Sequence, residues 1–335
     1  MKQLLKLSAA TLLVVGALGV QASTLSDVQA KGHVSCGVSK GLAGFSAADS
    51  AGNWTGVDVD VCRAVAAATL GDAQKVKFVP LTAKERFTAL QSGEIDMLSR
   101  NTTWTITRDA SLGLNFAGVN YYDGQGFMVK SSLGVSSAME LSGAAVCIQA
   151  GTTTELNLAD WGKANGIDYN SVVSDTNAQT LTNYDSGRCD VLTTDASGLY
   201  SMRAAANDPS EHVVLPEIIS KEPLGPVVRQ GDDQWFNIVR WSLNAMITAE
   251  ELGVTSATVD DVSNNPERER LMGRSGSTHE YVGLTPDWTY QIVKQVGNYS
   301  ESFERNIGIN TPIGIARGVN ALWTDGGILY SPPFR

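Results

Sequence analysis

Ile95-Asp96-Met97-Leu98-Ser99-Arg100-Asn101-Thr102-Thr103-Trp104-Thr105-Ile106-Thr107-Arg108-Asp109 is the stretch on which the fold turns. The short apolar run from Ile95 reads as a buried strand. It leads into a loop of hydroxyl and amide side chains with an arginine a few residues on. Such a loop presents short neutral donors and one planar cation to a small carboxylate. Read alone, it is better taken as a Thr-rich surface turn with a solvated arginine. The rest of the chain shifts that balance.

Upstream, Val34–Val38 reads as a strand, and the Ala- and Val-rich segment 57–70 as a buried helix ended by Gly71. Lys75–Val79 alternates polar and apolar residues, as a half-buried strand does. Ala83–Ser92 puts Phe87 and Leu90 on one helical face before Gly93. These strands alternate with helices, so the chain is α/β, and ligands of open α/β sheets bind where Ile95–Leu98 delivers its loop.

The pattern recurs downstream. Ala144–Gln149 is a strand running into Ala150-Gly151-Thr152-Thr153-Thr154-Glu155, and the helix continues from Leu156 to Lys163. Thr152 with Glu155 fits a capping box, and Gly151 lets backbone approach a ligand. A helix start of this kind favours an anion, although capping alone also explains the threonines. Cys189–Asp195 is a further strand ending in an acid, which is either a helix cap or a partner for a cation. Arg108, Thr152 and Thr153 with Asp195 supply donors for a carboxylate and an acceptor for an ammonium. That set matches a free α-amino acid.

The N-terminus bears on location. Lys2 and Lys6 precede an apolar run from Leu7 to Val20, and Val20-Gln21-Ala22 supplies small residues before Ser23. The expectation is a signal peptide over 1–22, because the run is shorter than the roughly 20 apolar residues that span a bilayer. The mature chain is expected to be soluble and exported, most simply into a bacterial periplasm. Its length of about 310 residues exceeds one ordinary core, so two lobes are expected. A net charge of −10 with no basic block argues against nucleic-acid or anionic-membrane partners.

Cys36, Cys62, Cys147 and Cys189 are even in number and widely spaced, without the C-x-x-C pairs of structural zinc. Disulfides within lobes, Cys36 with Cys62 and Cys147 with Cys189, are the expected reading; four buried thiols are the alternative. From Asp233 to Glu251, residues Trp235, Ile238, Val239, Leu243, Met246 and Ile247 mark a long amphipathic helix, better read as core than as ligand contacts. The stretch 264–335 is expected to cover lobe 1.

The chain as a whole resembles the periplasmic substrate-binding proteins of general L-amino-acid ABC transporters, in the polar amino acid class. The motifs that carry this are Gly52-Asn53-Trp54-Thr55-Gly56-Val57-Asp58-Val59-Asp60, Phe87-Thr88-Ala89-Leu90-Gln91-Ser92-Gly93-Glu94-Ile95-Asp96 and Arg100–Thr105. Tyr121–Val129, Gln149–Leu156 and Pro216–Pro226 continue it.

The resemblance implies a two-lobed, type II (Venus-flytrap) periplasmic binding protein. Lobe 1 is placed at 23–125 plus 226–335 and lobe 2 at 126–225, with hinges near Gly124–Gly126 and Leu224–Pro226. By position, Arg108 takes the ligand α-carboxylate, assisted by Thr103, Thr152 and Thr153, while Asn101 or its backbone and Asp195 hold the α-ammonium. Narrow-specificity relatives clasp the ligand side chain between aromatics, and the matching positions here are Leu42 and Ala83, which implies a wider pocket. Lys40 and Arg100 favour acidic or amide side chains, unless they are solvated loop charges.

The expected partners are a small L-amino acid and the membrane permease subunits of an ABC transporter. The protein is expected to act as a monomer, with no cofactor and no metal. The rival reading is a periplasmic dehydratase-like enzyme on the same fold. His33, His212 and His279 sit in no catalytic motif, and Glu155 and Asp195 are the cleft acids the sequence nominates.

Overall fold

The computed structural model describes residues 23–335, so the signal-peptide reading of 1–22 lies outside the described residues. The described chain opens with α1 (Thr24–Lys31) and β1 (Val34–Ser39), followed by a short hairpin of β2 (Ala47–Ala48) and β3 (Trp54–Thr55). Helix α2 (Val57–Leu70) then buries twelve of its 14 residues. Small and β-branched side chains suit a helix sandwiched on all sides. Gly71 ends it at φ 67°, a left-handed conformation that costs glycine little.

After α2 come β4 (Val76–Leu81), α3 (Arg86–Gln91) and β5 (Met97–Leu98), then one π-helical turn at Thr107–Ser111 and β6 (Leu114–Phe116). The first sheet has the order β4-β1-β5-β14-β6, where β14 is Val227–Arg229. Strands β4, β1 and β5 are parallel, with Cys36 beside Phe78 and Met97. Strand β4 is an edge strand, which explains its alternating, half-exposed sequence.

The chain leaves this sheet through β7 (Tyr121–Asp123) and enters the second through β8 (Gln125–Lys130). Next come β9 (Ala145–Gln149), α4 (Thr153–Asn165), β10 (Asn170–Ser174), α5 (Asn177–Asp185), β11 (Val191–Asp195), α6 (Ala196–Ala205) and β12 (His212–Val214). The second sheet has the order β10-β9-β11-β8-β12. Return is through β13 (Glu222–Leu224), which pairs antiparallel with β7. At Gly225 the returning backbone passes the Gly118 carbonyl so closely that a Cβ would overlap it.

The molecule is therefore an α/β protein of two lobes, each built on one five-stranded sheet. Both disulfides are intralobal: Cys36–Cys62 ties β1 to α2, and Cys147–Cys189 ties β9 to the approach to β11.

The last third of the chain enlarges the first lobe. Helix α7 (Asp233–Glu251) buries Trp235, Ile238, Val239, Leu243, Met246 and Ile247 as its periodicity predicts. Helices α8 (Pro266–Leu271), α9 (Thr278–Val282), α10 (Trp288–Val296) and α11 (Tyr299–Asn306) complete the helical set. Trp288, Ile292, Val293 and Phe303 join the core that α2 and α7 share. Phe334 closes it with an edge-on contact to Trp241 at 4.9 Å, so Trp241 has a packing role.

Candidate functional site

The C-terminal ends of β1 and β5 in one lobe face those of β9 and β11 in the other, as the position of ligand sites in open α/β sheets requires. The loop after β5 is fixed by Asp58, buried in the first turn of α2. Its carboxylate accepts from the Asn101 N–H at 2.6 Å, the Asn120 amide at 2.9 Å and the Ser99 hydroxyl at 3.2 Å. Burial raises its pKa above the usual carboxylate range, against the pull of those bonds and of Arg100. This anchorage holds Asn101 at φ 32°, in the left-handed region that few residues other than glycine tolerate. The Asn101 side chain lies beside Asp195 and favours its charged form, and its Oδ1 is buried without a partner.

Arg108 lies in the π-helical turn and donates to the Thr103 carbonyl at 2.9 Å, with its guanidinium 5.2 Å from the centre of the Phe87 ring. It is 8 % exposed. Burial lowers its pKa, and the charges of Glu222 and Asp195 oppose that. A planar cation with donors to spare, held in place, is suited to a carboxylate.

The facing wall begins with α4. The expected capping box is absent: the Thr152 hydroxyl donates back to the Gln149 carbonyl at 2.8 Å, and Glu155 accepts from Gly151 N–H at 2.7 Å. The first N–H groups of α4 therefore have no side-chain cap. Gly151, which supplies the tight turn, abuts Ala83 and Lys84 of the other lobe. The Thr153 hydroxyl bonds Glu222 at 2.9 Å and stands 3.3 Å from the Thr103 hydroxyl across the cleft.

Asp195 ends β11 and makes no cap bond to α6, so the cap reading does not describe it. Burial, then the charges of Asp123 and Glu222, push its pKa well above the carboxylate range; Asn101 and Arg86 pull the other way. Asp123, accepting from Ser197 and Gly124, is pushed up to about 6, chiefly by burial.

Asn101, Thr103, Arg108, Thr153 and Asp195 thus meet at one seam, with Thr152 supplying main chain rather than its hydroxyl. Of the side-chain positions, Arg100 is only 2 % exposed and bonds the Leu81 carbonyl at 3.0 Å, so it is not a solvated loop charge. Burial brings its pKa down to about 10. Lys40 is half-exposed and pairs with Glu85 at 3.2 Å. Both border a cavity of about 260 Å³ whose other wall is Gln149, Thr176, Asn177 and Ala178 of the second lobe. Ala83 is buried beside the seam, and Leu42 packs into the first lobe's core.

Sequence reasoning missed Arg86, Asp58, Asp123 and Glu222. Arg86 is 2 % exposed with an unpartnered Nε; burial and the neighbouring Arg108 and Arg100 hold its pKa well below the ordinary value. Its place directly before Phe87 was the available signal. Asp58, in a Val-Asp-Val-Asp-Val run, reads as an ordinary acid at a helix start. Contacts between the lobes include Lys84 to Asp175 at 2.8 Å and Ser201 to the Ala43 carbonyl at 2.8 Å. The lobes are closed on each other.

Residues 34–258 match the family described as bacterial extracellular solute-binding proteins, family 3. The chain is 61 % identical to the general L-amino acid-binding periplasmic protein AapJ of Rhizobium johnstonii, over 97 % of each chain. It is 56 % identical to the glutamate/glutamine/aspartate/asparagine-binding protein BztA of Rhodobacter capsulatus, over 96 % of each. A periplasmic binding protein structure from Brucella ovis with glutathione bound is 57 % identical and superposes with a TM-score of 0.92, covering 94 % of this chain and 100 % of that one.

Proposed function

Because the chain belongs to the family-3 bacterial extracellular solute-binding proteins, we propose that it binds a free L-amino acid in the periplasm. It then presents the ligand to the permease of an ABC importer. The lobes are taken as 23–125 with 226–335, and 126–225. The observation that carries this reading is the pairing of opposite charges across one closed seam. Arg108 with the uncapped start of α4 suits an α-carboxylate. Asp195 and the unpaired Oδ1 of Asn101 suit an α-ammonium. The names of the AapJ and BztA relatives support it. Arg86 and Arg100 add cations beside the seam, which favours ligands whose side chain ends in a carboxylate or amide.

The cavity of about 260 Å³ beyond Arg100 favours a second reading. A γ-glutamyl peptide such as glutathione keeps a free α-amino and α-carboxyl group. It would use the same clamp and lay its remainder in that cavity, and the Brucella ovis relative supports this. Calorimetric titration of the purified protein with the common L-amino acids and with glutathione, followed by analysis of the recovered ligand, tests both. The expected result is saturable one-to-one binding with the ligand recovered unchanged. Conversion of the ligand would favour the dehydratase-like reading, and no binding of any of them would overturn the proposal.

A further inference from the structure

The family match ends at residue 258, yet the chain runs on to Arg335. Part of that extension reaches the hinge. In the hinge ribbon, Tyr122 of β7 lies opposite Pro223 of β13. Proline has no N–H to donate, so Tyr122 turns its own N–H and C=O to the open edge of the ribbon. Both are taken by one side chain. Tyr122 N–H donates to Asn320 Oδ1 at 2.7 Å, and Asn320 Nδ2 donates to the Tyr122 carbonyl at 3.0 Å. The amide stands in for a third strand on a ribbon that would otherwise have two.

Asn320 is itself fixed. Arg317 donates to the Asn320 carbonyl at 2.9 Å and pairs with Glu250, at the end of α7, at 2.9 Å. Its guanidinium lies 5.2 Å from the Tyr299 ring centre, and the Tyr299 hydroxyl donates to the Asn120 carbonyl at 2.7 Å. One chain of contacts thus runs from the first lobe's helical core to residues 120 and 122. The next residue, Asp123, grips Ser197 of the second lobe, and Glu222 across the ribbon grips Thr153 and Asn157.

We propose that the C-terminal extension is a hinge brace, in which Asn320 is a positioning residue that confines lobe movement to the few residues beyond Tyr122. The brace holds in the open and the closed form. Without it the unliganded hinge samples more conformations, the fraction poised to close falls, and apparent affinity falls with it. The affinity part of this rests on the amino-acid reading above; the restriction of the hinge does not.

The test compares Asn320→Ala with Gln295→Ala in the full mature chain. Gln295 also accepts and donates one main-chain bond, from Ala73 N–H at 2.8 Å and to the Gly71 carbonyl at 3.0 Å, on the first lobe away from the hinge. Amide hydrogen exchange at Tyr122 is read without ligand, and L-glutamine and L-glutamate are then titrated. Faster exchange at Tyr122 and roughly three- to tenfold weaker binding in Asn320→Ala alone are expected. Unchanged exchange overturns the brace, and so does faster exchange with unchanged affinity. If neither amino acid binds the wild type, the amino-acid reading fails, and unchanged exchange at Tyr122 would still overturn the brace. Should Asn320→Ala not fold, Arg317→Lys, which weakens the support behind Asn320, carries the same expectations.

Discussion

The hydroxyls of Thr103 and Thr153, one from each lobe, stand 3.3 Å apart, and Thr153 passes on to Glu222 in the returning hinge strand. Ligand seam, lobe contact and hinge are therefore joined through three side chains. On the proposed reading, a ligand carboxylate between Arg108 and α4 would meet this chain directly, which would couple occupancy to closure. Such a ligand selects the closed form by the contacts that only that form offers.

Arg108→Ala should remove the main cation for the carboxylate and leave a buried anion unpaired. A loss of about 3–5 kcal/mol of binding is expected, roughly a hundredfold to several thousandfold in affinity. Titration calorimetry measures it, with circular dichroism to verify folding. A folded variant with wild-type affinity would remove Arg108 from the site.

The lifted pKa of Asp123 makes ligand-free stability depend on pH in a stated direction. Below the ordinary carboxylate range the group is neutral in both states. Between roughly pH 4 and 6 the unfolded chain releases a proton that the folded protein keeps, so stability falls as pH rises. The loss levels off once Asp123 is ionised in the folded protein as well. Asp123→Asn lacks this titration, and Asp195, raised in part by Asp123, relaxes in the same sense. Urea unfolding should show the variant gaining on the wild type between pH 4 and 7. A pH-independent difference would contradict the assignment.

Lys84 and Asp175 pair across the lobes at 2.8 Å, but both are exposed. Exposed pairs contribute little, so Asp175→Ala should weaken ligand binding by no more than about fivefold. Calorimetry at low and high salt checks this. A loss comparable with that of Arg108→Ala would mean that closure, rather than the buried clamp, dominates affinity.

Each disulfide closes its loop within one lobe, spanning 26 and 42 residues. Replacing either pair by serine should lower unfolding stability by about 3–4 kcal/mol. Ligand affinity of the folded variant should change little, because neither bridge enters the cleft. Denaturant titration and calorimetry on each variant separate the two effects.

The fold was largely legible because its signals are local. Ala- and Val-rich periodicity gave α2, the spacing of large apolar residues gave α7, and Gly71 marked where α2 ends. Arg108 and Asp195 were nominated from residue type, in the loop after β5 and at the end of β11, and Asn101 through the family resemblance. The Thr152–Glu155 capping box was not, because a competing turn carbonyl at Gln149 takes the hydroxyl. Glu222 reaches Thr153 and Asp123 reaches Ser197 only once two distant parts of the chain are brought together, and no local pattern encodes that. The role of the C-terminal stretch was hidden for the same reason: Asn320 meets Tyr122 from 198 residues away.

The central claim is that the cleft holds a free α-amino acid by its two α groups. The direct measurement is parallel calorimetric titration of the wild type with L-glutamine, N-acetyl-L-glutamine and L-glutamine amide. The account predicts saturable binding of the first, and losses of at least about a hundredfold for the other two, since each leaves a buried charge without its partner. Equal binding of all three, or binding of a blocked form alone, would contradict it.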